Sequence, residues 1–416
     1  MKINQLSAYE IIEERKIDDL NSNSYVLRHK KTGARIALLS NDDENKVFYI
    51  GFRTPPQDST GVAHILEHSV LCGSREFPIK DPFIELAKGS LNTFLNAMTY
   101  PDKTIYPVAS CNDKDFQNLM HVYLDAVFYP NIYQSDNVFR QEGWHYELNE
   151  EEELTINGVV YNEMKGAFSS PDDVLERELM NSLFPDNAYG LESGGDPDAI
   201  PNLSYEQFLD FHRQYYHPSN SYIYLYGDMD MVEKLQFLDE HYLNDFDALD
   251  VDSKIKEQTA FSSTQKVIKE YAISDNELEE ESGYLSYNMA VGDSLSRDLY
   301  VAFQIIDYAL CSAPGAPLKL ALTEKGIGND IYSIYDNGIK QPYFSVVSKG
   351  VDIKKEPEFL QTIQEVFTSI VRNGFDKKAL LAGINYYEFK YKEADFGSYP
   401  KGLMYGLQML DSWLYD

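Results

Sequence analysis

Two stretches of this chain pass from strand-like to helix-like apolar spacing and then end alike, 310 − 71 = 239 residues apart. In the first, residues 23–29, 35–40 and 46–52 read as strands about short turns. Val62, Ile65, Leu66, Val70 and Leu71 then fall at helical spacing, with Ser59, Thr60 or Gly61 as cap, and the run closes on Leu71-Cys72-Gly73. In the second, residues 266–273 and 283–290 read as strands around an acidic loop at 276–281, and a helix over 296–310 closes on Leu310-Cys311-Ser312. The expected class is therefore α+β: two related domains, each an antiparallel-rich sheet with helices packed on one face.

Between the repeats, residues 245–253 lose periodicity and gain Asp. The domains are accordingly expected at 1–250 and 266–416, with 251–265 as linker, a division that suits 416 residues of which 43% are hydrophobic. Inside the first domain, Asp81-Pro82 opens a short helix that stops near Gly89, and residues 93–100 form an extended segment halted by Pro101. An amphipathic helix covers 113–129, an acidic hairpin tip lies at 149–153, helices cover 159–167 and 204–215, and a strand returns at 222–226.

Charge and cysteine usage exclude several function classes. With 36 Lys plus Arg against 67 Asp plus Glu, the net charge of −31 repels polyphosphate, so nucleic acid is not an expected partner. Cys72, Cys111 and Cys311 lie too far apart for a disulfide framework or a paired-cysteine zinc site and suit a reducing compartment. No apolar run reaches the roughly 20 residues of a membrane span, so no membrane partner is expected. The N-terminus shows neither a secretory core nor a transit-peptide bias. A cytoplasmic location is expected, or an organelle matrix if a transit peptide has been removed.

The chemistry sits on the first helix. His64-Ile65-Leu66-Glu67-His68 places two imidazoles at i and i+4 on one face, close enough to share a metal ion, with Glu67 leaning over the open side. This is the inverted zinc motif, in which the carboxylate deprotonates a bound water. Shifted by 239, the three positions fall on Phe303, Ile306 and Asp307, so the second domain is expected to be a degenerate copy without the metal site. A third ligand is needed, and Glu163, in Tyr161-Asn162-Glu163-Met164-Lys165-Gly166, heads the candidates over His145 and Cys72. His145 reads better as a strand residue beside Trp144, and Cys72 as a buried thiol.

Residues 64–80, 92–107, 141–147, 158–172 and 211–220 resemble the pitrilysin/insulinase-type zinc metallopeptidases, nearest the presequence protease and falcilysin branch. The runs His64-Ile65-Leu66-Glu67-His68-Ser69-Val70-Leu71-Cys72-Gly73-Ser74 and Tyr161-Asn162-Glu163-Met164-Lys165-Gly166 carry the likeness most specifically. The resemblance implies that His64, His68 and Glu163 hold Zn2+ and that Glu67 is the general base. It further implies that Asn96, Ala97, Met98 and Thr99 form an edge strand onto which a peptide substrate adds, and that Phe83 and Ile84 line an apolar pocket beside the scissile bond. Members of that family are two similar halves closing a chamber, and this chain accounts for one N-terminal half. Its expected partners are peptide substrates and a C-terminal half, either covalently continuous with it or a separate chain. The expected function is zinc-dependent endopeptidase activity on unfolded peptides; the rival readings are a non-catalytic subunit of a two-chain processing complex and a metal-free module that grips peptides by strand addition.

Overall fold

The computed structural model of the chain describes residues 2–149, 151–274, 278, 281–393 and 396–416. The acidic tips expected at 149–153 and 276–281 fall partly on residues outside that set. Two compact units are present: Met1–Ser170 with Asn187–Lys256 and Phe396–Met409, and Pro171–Asp186 with Glu257–Asp395 and Leu410–Asp416. Both mix sheet and helix, so the fold is α+β.

The first unit opens with β1 (Tyr9–Ile17), β2 (Ser22–His29), β3 (Arg35–Ser40) and β4 (Lys46–Arg53), followed by α1 (Val62–Val70) and α2 (Pro82–Gly89). Next come β5 (Asn92–Leu95), β6 (Met98–Thr99), β7 (Lys103–Ser110), α3 (Asp113–Phe128) and α4 (Asn137–Glu142). The hairpin β8 (His145–Leu148) and β9 (Leu154–Asn157) leads into α5 (Val159–Ala167). After α6 (Pro171–Leu183), which belongs to the second unit, α7 (Tyr205–Tyr215), β10 (Ser221–Gly227) and α8 (Met231–His241) complete the set. The large sheet runs β1-β2-β3-β10-β4-β7-β5, with β6 also paired to β7. Every pair is antiparallel except β3 with β10.

Strand alternation explains how the layers form. Phe48, Ile50 and Phe52 of β4 and Ile223 and Leu225 of β10 face one continuous core that also takes Ile65, Leu66, Phe116, Leu119 and Phe208 from α1, α3 and α7. Phe52 stacks on Tyr216 at 4.8 Å and meets Phe128 edge-on at 6.0 Å, so cutting it back to alanine would cost about 3–5 kcal/mol. The alternate residues Tyr49 and Tyr224 donate hydroxyl bonds of 2.9 Å to the carbonyls of Gly406 and Gly402. Those glycines lie on the first part of α13 (Lys401–Trp413), where a Cβ would come within 2.2 Å of Tyr226 or 2.6 Å of Tyr224. The main helical layer thus covers one face, and a close-packed glycine pair brings one helix to the other.

The second unit holds β11 (Gly283–Ala290), α9 (Arg297–Asp307), a π-turn at Tyr308–Ser312, α10 (Pro317–Glu324), β12 (Asp330–Asp336), β13 (Tyr343–Val351), α11 (Glu356–Asn373) and α12 (Lys377–Lys392). Its three strands run β11-β13-β12, all antiparallel. The strand expected at 266–273 does not form; that stretch carries no regular structure, although its apolar alternation fits a strand. Conversely, the acidic run at 10–19 is edge strand β1 up to Ile17, with Asp18 and Asp19 in the 3-10 turn that follows, since an edge tolerates charge on the side that water reaches. Among the described residues, no helix is long and apolar enough to cross a membrane.

Candidate functional site

α1 is almost wholly a core helix: Val62, Ala63, Ile65, Leu66, Ser69 and Val70 are buried, which leaves His64 and His68 on its one polar face. Its N-cap, Gly61, has φ +69°, and a Cβ there would lie 2.6 Å from Gly195 Cα and 2.7 Å from the Gly194 carbonyl. Only glycine suits both the conformation and the backbone-to-backbone contact. The contact has a consequence for the site, because the Gly194 carbonyl lies 2.9 Å from His64 Nδ1 and fixes that ring.

His68 is held from another direction. Its Nδ1 lies 3.3 Å from Oε2 of Glu142, the last residue of α4, and Gln141 Nε2 donates to the other oxygen at 2.8 Å. Burial alone would raise the Glu142 carboxyl, but the bonds from His68 and Gln141 and the His68 charge hold it below the usual range. Burial would likewise lower His68, yet the Glu142 bond and the charges of Glu67, Glu142 and Glu163 raise it. With both Nδ1 atoms engaged, both Nε2 atoms are left facing the same space.

α5 brings Glu163 into that space. Val160 of α5 is fully buried and Tyr161 and Met164 pack on the core, which leaves the Glu163 side chain half exposed on the outer side. Glu163 Oε2 lies 3.7 Å from His64 Nε2 and 3.8 Å from His68 Nε2. Donors on one tetrahedral zinc, at 2.0–2.2 Å each, stand about 3.3 Å apart. The two Glu163 distances need to close by only about half an ångström to reach that spacing. With all three donor atoms within 4.8 Å of one another, two imidazoles and a carboxylate fit such an ion after side-chain closure of at most about 1.5 Å. Among the described residues no other group of three acidic, histidine or cysteine side chains gathers in this way.

Glu67, one turn from His64 and only 9% exposed, opens onto the same cleft of about 550 Å3. The cleft is also lined by Asn96, Ala97, Met98 and Thr99 from the β5–β6 edge and by 192–194. The structure thus brings His64, Glu67, His68, Glu163 and the four edge residues together. It does not bring in Phe83 or Ile84: Phe83 packs against the core from α2, Ile84 is 40% exposed, and neither lines the cleft. His145 bonds to the Arg140 carbonyl at 2.7 Å and stands outside the donor group. Cys72 also stands outside it, half-buried, with its thiol pushed up by burial and by Glu142.

Sequence reasoning missed Glu142 and the loop through Glu192 and Gly194. They act 74 and 130 residues from the histidines they hold, beyond any local periodicity.

Comparison with known proteins adds two matches to family descriptions. Residues 47–192 match "Insulinase (Peptidase family M16)" and residues 202–387 match "Peptidase M16 inactive domain". The chain is 51% identical over 414 residues to Protein HypA of Clostridium perfringens, covering 99% of this chain and 42% of that protein. It is 46% identical over 414 residues to Presequence protease 1, chloroplastic/mitochondrial, of Arabidopsis thaliana, covering 98% of this chain and 38% of that protein. The chain therefore spans about two fifths of the length of these relatives. In fold it is similar to crystalline pitrilysin, with TM-score 0.68 at 16% identity, over 99% of this chain and 42% of that one. It is also similar to a protease from Helicobacter pylori, with TM-score 0.65 at 14% identity, over 95% and 93%.

Proposed function

This chain belongs to the M16 peptidase family, the insulinase-like peptidases, and on that premise we propose that it is the zinc-bearing half of a peptide-degrading endopeptidase. The observation that carries the reading is the approach of Glu163 to 3.7 and 3.8 Å from the two Nε2 atoms of α1. His64, His68 and Glu163 hold the metal. A zinc ion bound there would polarise a carbonyl and bring the pKa of a water toward about 7. Glu67 takes the proton of the attacking water and returns it to the departing amine, so that no acyl-enzyme is needed. Glu142 and the Gly194 carbonyl keep the imidazoles in one tautomer and one orientation.

The peptide adds as an extra strand along Asn96–Thr99, read through its backbone and so with little demand on sequence. The partner is a C-terminal half, either continuous with this chain or a separate one. Relatives named as mitochondrial or chloroplastic favour an organelle matrix or its bacterial counterpart, the cytoplasm.

The test is a peptide digest, read by mass spectrometry, using the chain combined with its C-terminal half. Cleavage is expected to stop with chelator, to return with zinc and to be absent in Glu67→Gln. Cleavage that persists in Glu67→Gln at the parental rate would refute the role of the base. Zinc binding without cleavage by any combination of halves would favour the non-catalytic subunit.

A further inference from the structure

The edge segment of the cleft has an irregular hydrogen-bond ladder. Leu95 pairs with Val108 and Met98 with Ile105, so Asn96 stands opposite Pro107. Its N–H donates to the Pro107 carbonyl at 3.3 Å. In an antiparallel pair of this kind the partner residue returns its own N–H to the facing carbonyl, but a proline has none to give. Pro107 lies in β7, which is paired on its other side with β4, a position where proline is ordinarily excluded. The missing donor comes from elsewhere: the Tyr123 hydroxyl, on α3, donates to the Asn96 carbonyl at 3.2 Å. Tyr123 is fully buried, and burial together with the nearby charge of Glu67 keeps its phenol protonated far above the working pH. The same side chain thus stands behind the proposed base and beneath the proposed substrate strand.

We propose that Tyr123 is a positioning residue, whose hydroxyl substitutes for the N–H that Pro107 lacks and so holds the edge Asn96–Thr99 in register with Glu67. Both backbone groups of Asn96 are then engaged inward, and the ladder resumes at Met98 and Thr99 with the outer side of the segment turned to the cleft. The inference deepens the strand-addition reading given above and rests on it for its functional part.

Tyr123→Phe keeps the ring in the core and removes only the hydroxyl. Amide exchange across residues 95–99 should speed by roughly tenfold, the size expected when a carbonyl loses its one donor. In a Glu67→Gln background, which prevents turnover, the Kd of a fluorescein-labelled proline-free peptide should weaken by about the same factor, with zinc content unchanged. Pro107→Ala restores a ladder N–H opposite Asn96, so Tyr123→Phe combined with Pro107→Ala should return both readouts toward the parent. A tyrosine that served only to fill the core would not be rescued from β7. Unchanged exchange in Tyr123→Phe, or failure of Pro107→Ala to restore it, would overturn the inference. If the parent chain bound no peptide at all, the strand-addition reading would fall, and exchange alone would decide the role of Tyr123.

Discussion

The two units carry the same run of elements to opposite ends. In the first, β4, α1, α2, β5, β7 and α3 follow in that order, with the two-residue β6 inserted between β5 and β7 and strands ordered β4-β7-β5; in the second, β11, α9, α10, β12, β13 and α11 follow with strands ordered β11-β13-β12. Adding 239 to the ends of β7 gives 342–349, against 343–351 for β13. Where α1 presents His64, Glu67 and His68, α9 presents Phe303, Ile306 and Asp307. Phe303 and Ile306 pack on the apolar core of their unit, and Asp307 accepts a bond from Ser333 while burial raises its carboxyl. One scaffold therefore hosts either a polar cleft or an aromatic-lined helix, and three side chains decide which. All eight histidines, from His29 to His241, lie in the first unit. The lesson is that the candidate metal site is a local addition to a fold that stands without it.

Several substitutions test that contrast, the largest first. Glu67→Gln should lower turnover of the combined halves by roughly 10^2–10^4-fold with zinc still bound, measured by peptide assay and elemental analysis. Importing the histidines into the second unit, as Phe303→His with Asp307→His, should destabilise that unit by about 3 kcal/mol, because Phe303 stacks on Tyr335 at 5.6 Å. It should still bind no zinc tightly, since two imidazoles alone leave a three-residue donor set incomplete; stoichiometric zinc on α9 would mean that two imidazoles suffice.

Acid should separate the units as well. His212 accepts from the Tyr133 hydroxyl at 2.7 Å and donates to the Val127 carbonyl at 2.9 Å, both as a neutral ring. Burial pushes its pKa down from 6.5 to about 4. Its contribution is therefore fully present above pH 6.5 and is lost as pH falls toward 4, because the unfolded chain takes up a proton that the folded unit refuses. At pH 5 the loss should be about 2 kcal/mol. Hydrogen exchange at pH 5 and 7, corrected for intrinsic rates, should show it in the first unit, and His212→Gln should flatten the difference. The smallest effect expected is that of Glu142→Gln, which should weaken zinc by about tenfold by loosening His68, read by chelator competition.

Much of this was legible in the sequence because it is local. The helix of α1 followed from apolar spacing at Val62, Ile65, Leu66 and Val70, and the pair His64 and His68 from i, i+4 geometry. The strands β2, β3, β4 and β10 followed from apolar runs bounded by turns. What sequence could not supply was distance. Nothing in the 95 residues from His68 to Glu163 encodes their approach, and the resemblance, not the spacing, singled out that carboxylate. Glu142 and Gly194 escaped notice for the same reason. The apolar alternation at 266–273 misled because a period-2 pattern marks a strand only where a neighbouring strand accepts it. Nor did composition reveal that 171–186 joins the second unit and 396–409 the first.

The most direct measurement is zinc content under chelator competition for the intact chain and for Glu163→Ala. One equivalent per chain, held at least a hundredfold more weakly in the variant, is the expected result for a carboxylate that closes a three-residue donor set. Equal retention in the two proteins, or no zinc in the parent when it is amply supplied, would contradict the account.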